Sequence, residues 1–271
     1  MIRVLKDITM GQYFPASSVI HRLDPRTKIV GLILYIAALF TAKSWISYVV
    51  MALMLAAMIA LSTLKLKMLI KGLKPLLIII LFTAFLNLFF TEGEHVIFEV
   101  WKLRLSWEGV RTAGFMLARL IMLIMGSFML TYTTPPMALT DGIESLLSPL
   151  KKLKVPVHEL AMMMSIALRF IPTLVEETDK IMSAQKARGA DFETGGLIRR
   201  ARALLPVLVP LFISAFRRAD ELAVAMESRC YHGGEGRTRM NVLVMRARDW
   251  IALGVCVAVL ALMIALAALG V

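Results

Sequence analysis

The chain has 271 residues, 59% hydrophobic and 18% charged, with a mean hydropathy of +0.75 and a formal net charge of +12. A soluble domain is about 45–50% apolar and about a quarter charged, so a wholly water-facing fold is excluded and the surplus apolar surface is expected to face lipid. The basic excess fits nucleic acid, anionic lipid or an acidic protein partner, and its placement along the chain favours the last two.

The N-terminal Met1-Ile-Arg-Val-Leu-Lys-Asp7 lacks an apolar run followed by a small-residue cleavage site. It therefore does not read as a signal peptide. Four stretches are long enough to cross a hydrocarbon core of about 30 Å: Trp45–Leu64, Pro75–Thr91, Thr112–Thr134 and Trp250–Val271. A shorter one, Ile29–Ala42, lies between Lys28 and Lys43, whose stems can snorkel to extend it. Beside Trp45–Leu64 it makes the first arm of a helical hairpin. Five spans are thus expected, four within residues 1–134 and one over residues 250–271.

Loop charge sets the expected orientation. Lys65, Lys67, Lys71 and Lys74 fill one turn without an acid, whereas Glu92, Glu94, Glu99 and Glu108 outnumber Lys102 and Arg104 in the next. The lysine turn is read as cytoplasmic, together with the N-terminus and its Arg3, Lys6, Arg22, Arg26 and Lys28. The C-terminus is then outside. Residues 135–249 fall in the cytoplasm, too long a segment to lack structure of its own. Proline and glycine punctuation there leaves three helices: Ala138–Leu150, Val157–Arg188 and Ile198–Arg229. Pro172, Pro206 and Pro210 predict kinks or breaks in the last two. The runs Leu160–Leu168 and Leu204–Phe216 read either as a hydrophobic surface able to receive another protein or as faces packed on the spans.

The two longer helices end alike. Ala184-Gln-Lys-Ala-Arg188-Gly189-Ala190 recurs 41 residues later as Ala225-Met-Glu-Ser-Arg229-Cys230-Tyr231, and the same offset aligns Asp179 with Asp220. An arginine in a last turn suits the negative end of the helix, and Gly189 is a natural left-handed cap. That is sufficient as a purely structural explanation of one such end. Two of them also offer two planar guanidinium forks, suited to carboxylates in two acidic grooves. Neither Cys230 nor Cys256 reads as a disulfide partner; both are taken as reduced thiols or packing residues.

These motifs resemble the transmembrane T component of energy-coupling-factor (ECF) transporters, the EcfT/CbiQ family, over essentially the whole chain. His21-Arg-Leu-Asp-Pro-Arg-Thr-Lys28 resembles the family's lead-in to the first span, and Ser165-Ile-Ala-Leu-Arg-Phe-Ile-Pro172 its stretch within the second coupling helix. Ala184–Gly189 matches the Ala-Arg-Gly signature, and Ala225–Cys230 occupies the place of the second. Gly234-Glu-Gly-Arg-Thr-Arg239 is similar to the segment after the second signature in the vitamin-transporting, shared-module type. The second signature departs from the pattern, with Cys230 where glycine is usual.

The resemblance implies an all-α, polytopic protein of a prokaryotic cell membrane: about five transmembrane helices plus three long cytoplasmic coupling helices. It implies two ABC-type ATPase partners and a membrane-embedded substrate-binding S component serving uptake of vitamins or other micronutrients. Ala187, Arg188, Gly189, Ser228, Arg229 and Cys230 are the implied ATPase-docking residues. ATP and Mg would be bound by the ATPases, with no cofactor on this chain.

Other functions find little support. There is no Gly-x-x-x-x-Gly-Lys-Ser/Thr phosphate loop and no Gly-x-Ser-x-Gly elbow. His158-Glu159 begins a zinc-like motif, but position 162 is Met, and His21, His95, His158 and His232 are scattered. A stand-alone secondary transporter or channel is the alternative; it would want broken helices and intramembrane charges, and the spans carry chiefly Arg119. That arginine is read as facing cytoplasm-proximal protein or snorkelling. Nucleic acid is unnecessary, because topology alone accounts for the positive loops.

Overall fold

A computed structural model describes residues 13–90, 96–100, 103–192, 194, 196–233 and 242–269. The N-terminal Met1–Asp7, the acids Glu92 and Glu94, His95, Lys102, Gly195, the stretch Gly234–Arg239 and Val271 lie outside the described residues.

In chain order the elements are α1 (Pro25–Thr41), α2 (Trp45–Ser62), α3 (Leu66–Leu73), a 3-10 turn (Lys74–Leu76) and α4 (Leu77–Phe90). Next come a ribbon of β1 (Val96–Val100) and β2 (Leu103–Ser106), then α5 (Trp107–Thr133) and α6 (Pro136–Leu147). A second 3-10 stretch (Ser148–Leu153) leads to α7 (Val157–Ala187), α8 (Leu197–Glu227) and α9 (Ala247–Ala268). The protein is an all-α, polytopic membrane protein, with one departure: β1 and β2 pair antiparallel, Val100 opposite Leu103, in the loop the sequence left unstructured.

Helix starts obey local chemistry. The Asp24 carboxylate accepts from the Arg26 amide and Pro25 occupies the first turn, so α1 begins four residues before the apolar run does. Ser44 and Ser106 cap α2 and α5 by accepting from the amides of Ser47 and Gly109. The helix predicted to start at Pro75 instead extends back to Leu66, because the chain tightens into a 3-10 turn there and passes the proline without stopping. Pro172, Pro206 and Pro210 likewise lie inside continuous helices rather than at breaks.

Residues 136–242 and residues 13–135 with 243–271 form two compact units among the described residues. In the second unit α1 is enclosed by α5 and α9, and Tyr35, Ala38 and Leu39 are almost wholly buried. α1 and α9 run parallel: the Asp24 amide meets Asp249, and Gly31 lies against Cys256. α5 runs antiparallel to α1, and a Cβ on Gly126 would sit 2.5 Å from the Tyr35 ring. The outward faces carry Ile33, Leu53, Ile78, Phe82, Ile251 and Ile264, all exposed. A water-soluble monomer does not present a belt of this extent.

By length and composition, five helical stretches among the described residues can cross a membrane: Trp45–Ser62, Leu66–Phe89, Trp107–Thr133, Val157–Ala187 and Ala247–Ala268. The set differs from the one read off the sequence. α1, at 17 residues, is left out, its length of about 25 Å falling short of the hydrocarbon core. α7 is included as the least apolar member, with its charges gathered toward its C-terminal half: Glu176, Glu177, Asp179, Lys180 and Lys186.

Candidate functional site

α7 and α8 pack as an antiparallel pair. Met182, Phe192 and Val207 form its small core. Glu177 accepts from Ser214 and pairs with Arg218 at 3.1 Å, and Arg218 lies over the Phe170 ring at 5.9 Å. Contact positions rise along α7 as they fall along α8, so the two C-terminal tips lie at opposite ends of the pair. From the helical rise, the tips are roughly 30–40 Å apart.

Both tips close in the same way. The Gly189 amide donates to the Lys186 carbonyl and the Ala190 amide to Gln185. Forty-one residues on, the Cys230 amide donates to Glu227 and the Tyr231 amide to Met226. This paired closure is the Schellman motif, and it needs a left-handed residue after the cap. Gly189 has φ +88° and Cys230 φ +56°. The cysteine therefore adopts the glycine geometry, at a cost of about 1–2 kcal/mol for a residue with a Cβ. Beyond its chain neighbours, no described atom lies within 4 Å of where a Cβ on Gly189 would be, so the cost at such a position comes from the backbone and not from crowding.

Ala187, Arg188, Gly189, Ser228, Arg229 and Cys230 are all exposed. Arg188 and Arg229 each sit in a closing turn, where unpaired carbonyls favour a cation. The structure thus brings the six residues together as two separate triplets, one per tip. Each triplet presents a guanidinium beside small neighbours and a tight turn, a shape able to enter a carboxylate-lined groove.

A second cluster went unread in the sequence, although its residues are those of the lead-in motif. Asp24 pairs with Arg26 at 2.9 Å, and Arg26 also donates to the Leu243 carbonyl at 2.9 Å. Asp249 accepts from the Asp24 amide at 2.8 Å and the Arg246 amide at 2.9 Å. Lys28 donates to the carbonyl of Thr133 at 2.8 Å, at the end of α5. The motif therefore ties the ends of α1, α5 and α9 into one knot. Burial acts to raise the Asp24 carboxyl, and the Arg26 hydrogen bonds and charge outweigh it, holding that carboxyl below its ordinary value.

Arg119, a charge within α5, is held by protein groups. It donates to the carbonyl of Ala42 at 3.0 Å and lies over the rings of Phe40 and Tyr48 at 5.7 and 5.9 Å. It faces protein at the C-terminal end of α1, the end away from Lys28. The free carbonyls there attract the guanidinium, a long-range pairing with no local signature. His158 pairs with Glu144 at 3.0 Å and joins α6 to α7.

Comparison with known proteins matches residues 16–240 to the family described as CbiQ, cobalt transport protein. The chain is 58% identical over 245 residues to the energy-coupling factor transporter transmembrane protein EcfT of Thermosediminibacter oceani, covering 90% of this chain and 92% of that protein. It is 55% identical over 250 residues to the EcfT of Clostridium kluyveri, covering 92% and 93%. With the EcfT of Lactococcus lactis subsp. cremoris identity is 47% over 245 residues, covering 90% and 92%. Apolar helices with lipid-type outer faces, paired arginine tips and similarity over nine-tenths of the length agree: the chain belongs to the CbiQ/EcfT family, as the transmembrane component of an energy-coupling factor transporter.

Proposed function

We propose that this chain is a non-catalytic coupling subunit, passing ATP-driven motion of two ABC-type ATPases to a substrate-binding S component that takes up a vitamin or other micronutrient. The observation that carries this reading is the pair of exposed arginine tips, closed identically and facing opposite ends of one hairpin. Two equivalent plugs this far apart suit two copies of one kind of partner. Arg188 and Arg229 enter acidic grooves on separate ATPases, with Ala187, Gly189, Ser228 and Cys230 allowing close approach. ATP and Mg are bound by those ATPases and this chain holds no cofactor. In this reading α7 lies on the cytoplasmic side, with the N-terminus inside and the C-terminus outside the prokaryotic cell membrane.

An apolar stripe supports an S-component contact. Leu205, Leu208, Val209, Phe212 and Phe216 are exposed and recur every three or four residues on the face of α8 opposite Val207 and Ser214, which meet α7. Leu160, Met163 and Met164 are exposed on α7. An apolar membrane partner can cover such a face.

The test uses the assembled transporter in proteoliposomes. Arg188→Ala with Arg229→Ala should abolish ATP-driven uptake and release the ATPases on purification. Each single change should reduce uptake partially, since one charge-assisted contact is worth about 1.5–3 kcal/mol. Full uptake by the double variant would overturn the proposal.

A further inference from the structure

The membrane unit contains a cavity of about 390 Å³ that no part of the coupling scheme uses. Its walls are mostly apolar, built from Leu32, Met58, Leu130, Ile251 and Val255 among others, with Gly31 also lining it. Val255 and Ile251 are exposed on the outer face of α9, so the groove opens where lipid is the solvent. At one end its lining becomes polar with Thr27, Lys28, Thr133 and Arg248, and among the described residues no acid lines it.

The donors at that end are not equivalent. Lys28 is consumed by the carbonyls of Thr133 and His21 and the hydroxyl of Thr134. Arg248 is not: its Nε is buried and has no hydrogen-bond partner among the described residues. The Thr27 hydroxyl is a second orphan, also buried and unpartnered among the described residues, on a residue only 3% exposed. A buried donor without an acceptor is destabilising. Two such donors lining the polar end of one apolar groove call for a single occupant with acceptor oxygens at one end and hydrocarbon at the other. The nearby carboxylates do not fill that role, since Asp249 is taken by the amides of Asp24 and Arg246, and Asp24 by Arg26.

We propose that the groove is a binding site for an anionic phospholipid. One acyl chain lies along Leu32, Met58, Leu130 and Val255, and phosphate and ester oxygens accept from Arg248 and Thr27. The cationic mouth prefers a headgroup with net negative charge over a zwitterionic one. The site is independent of the ATPase-docking reading, because every residue it uses belongs to the membrane unit.

The test is lipid retention by the intact, delipidated chain in mild detergent, read by native mass spectrometry. Phosphatidylglycerol and phosphatidylcholine with the same acyl chains are compared. The wild type should retain phosphatidylglycerol about tenfold better. Arg248→Gln should bring the two lipids within about twofold, Arg248→Lys should keep most of the preference, and Ala57→Phe, which fills the groove, should lose both. Unfolding temperatures without lipid establish that each variant is folded. Equal retention by the wild type, or an unchanged preference in Arg248→Gln, would overturn the proposal. A photoreactive residue at Ala252 in native membranes reads the occupant directly: a lipid adduct supports the site, and an adduct only to another protein chain overturns it.

Discussion

Two positions show how much a single residue carries here. Gly189 and Cys230 perform one task, holding a left-handed turn after a helix so that the preceding arginine stands free. Glycine does this without steric cost and cysteine does not. Cys230→Gly should stabilise its tip by about 1 kcal/mol and Gly189→Cys should destabilise the other by a similar amount. Amide exchange over residues 188–190 and 229–231 reads both, slowing in the first variant and quickening in the second. If Cys230→Gly leaves exchange unchanged, the strain assigned to that cap is absent. Asp24 is the other instructive residue: one side chain caps α1 and holds Arg26, while its own amide meets Asp249.

At the scale of elements, the prolines of α8 decide how two helices meet. Pro210 has no amide hydrogen, so the carbonyl of Pro206 loses its helical donor. Gln185 of α7 supplies one from its side chain at 3.3 Å. A residue that weakens one helix thereby creates a contact between two. Gln185→Ala should cost about 0.5–1.5 kcal/mol, and much less in a Pro210→Ala background, where the helix regains its own donor. A double-mutant cycle on the purified chain, read by denaturant unfolding, measures this coupling. Additive effects would show that the contact and the proline are unrelated.

For the whole membrane unit, close helix approach sets the packing. Gly126 lets α5 touch the Tyr35 ring, whose hydroxyl donates to the Met122 carbonyl. In lipid, where hydrophobic association is weak, such small-residue contacts hold helices together. Gly126→Ala should destabilise the chain by about 1–3 kcal/mol. Gly114→Ala, at a position where a Cβ meets nothing within 4 Å, should be close to neutral. Unfolding of the two variants in detergent separates packing from helix propensity, and equal effects would remove the packing argument.

The sequence by itself determined the membrane class, most helices to within a turn, and the twin arginine ends. Each is written in neighbouring residues: apolar runs, Ser and Asp caps before helices, and an arginine just ahead of a turn. Only the tertiary structure decided that the tips point to opposite ends, that the Asp24–Lys28 motif knots three helix ends, and that Arg119 caps the far end of α1. It also decided that Thr27 and Arg248, each with a buried polar atom unpartnered among the described residues, line one groove. Those facts join residues far apart in the chain, and hydropathy and capping carry no information about which distant backbone carbonyl a buried donor will find.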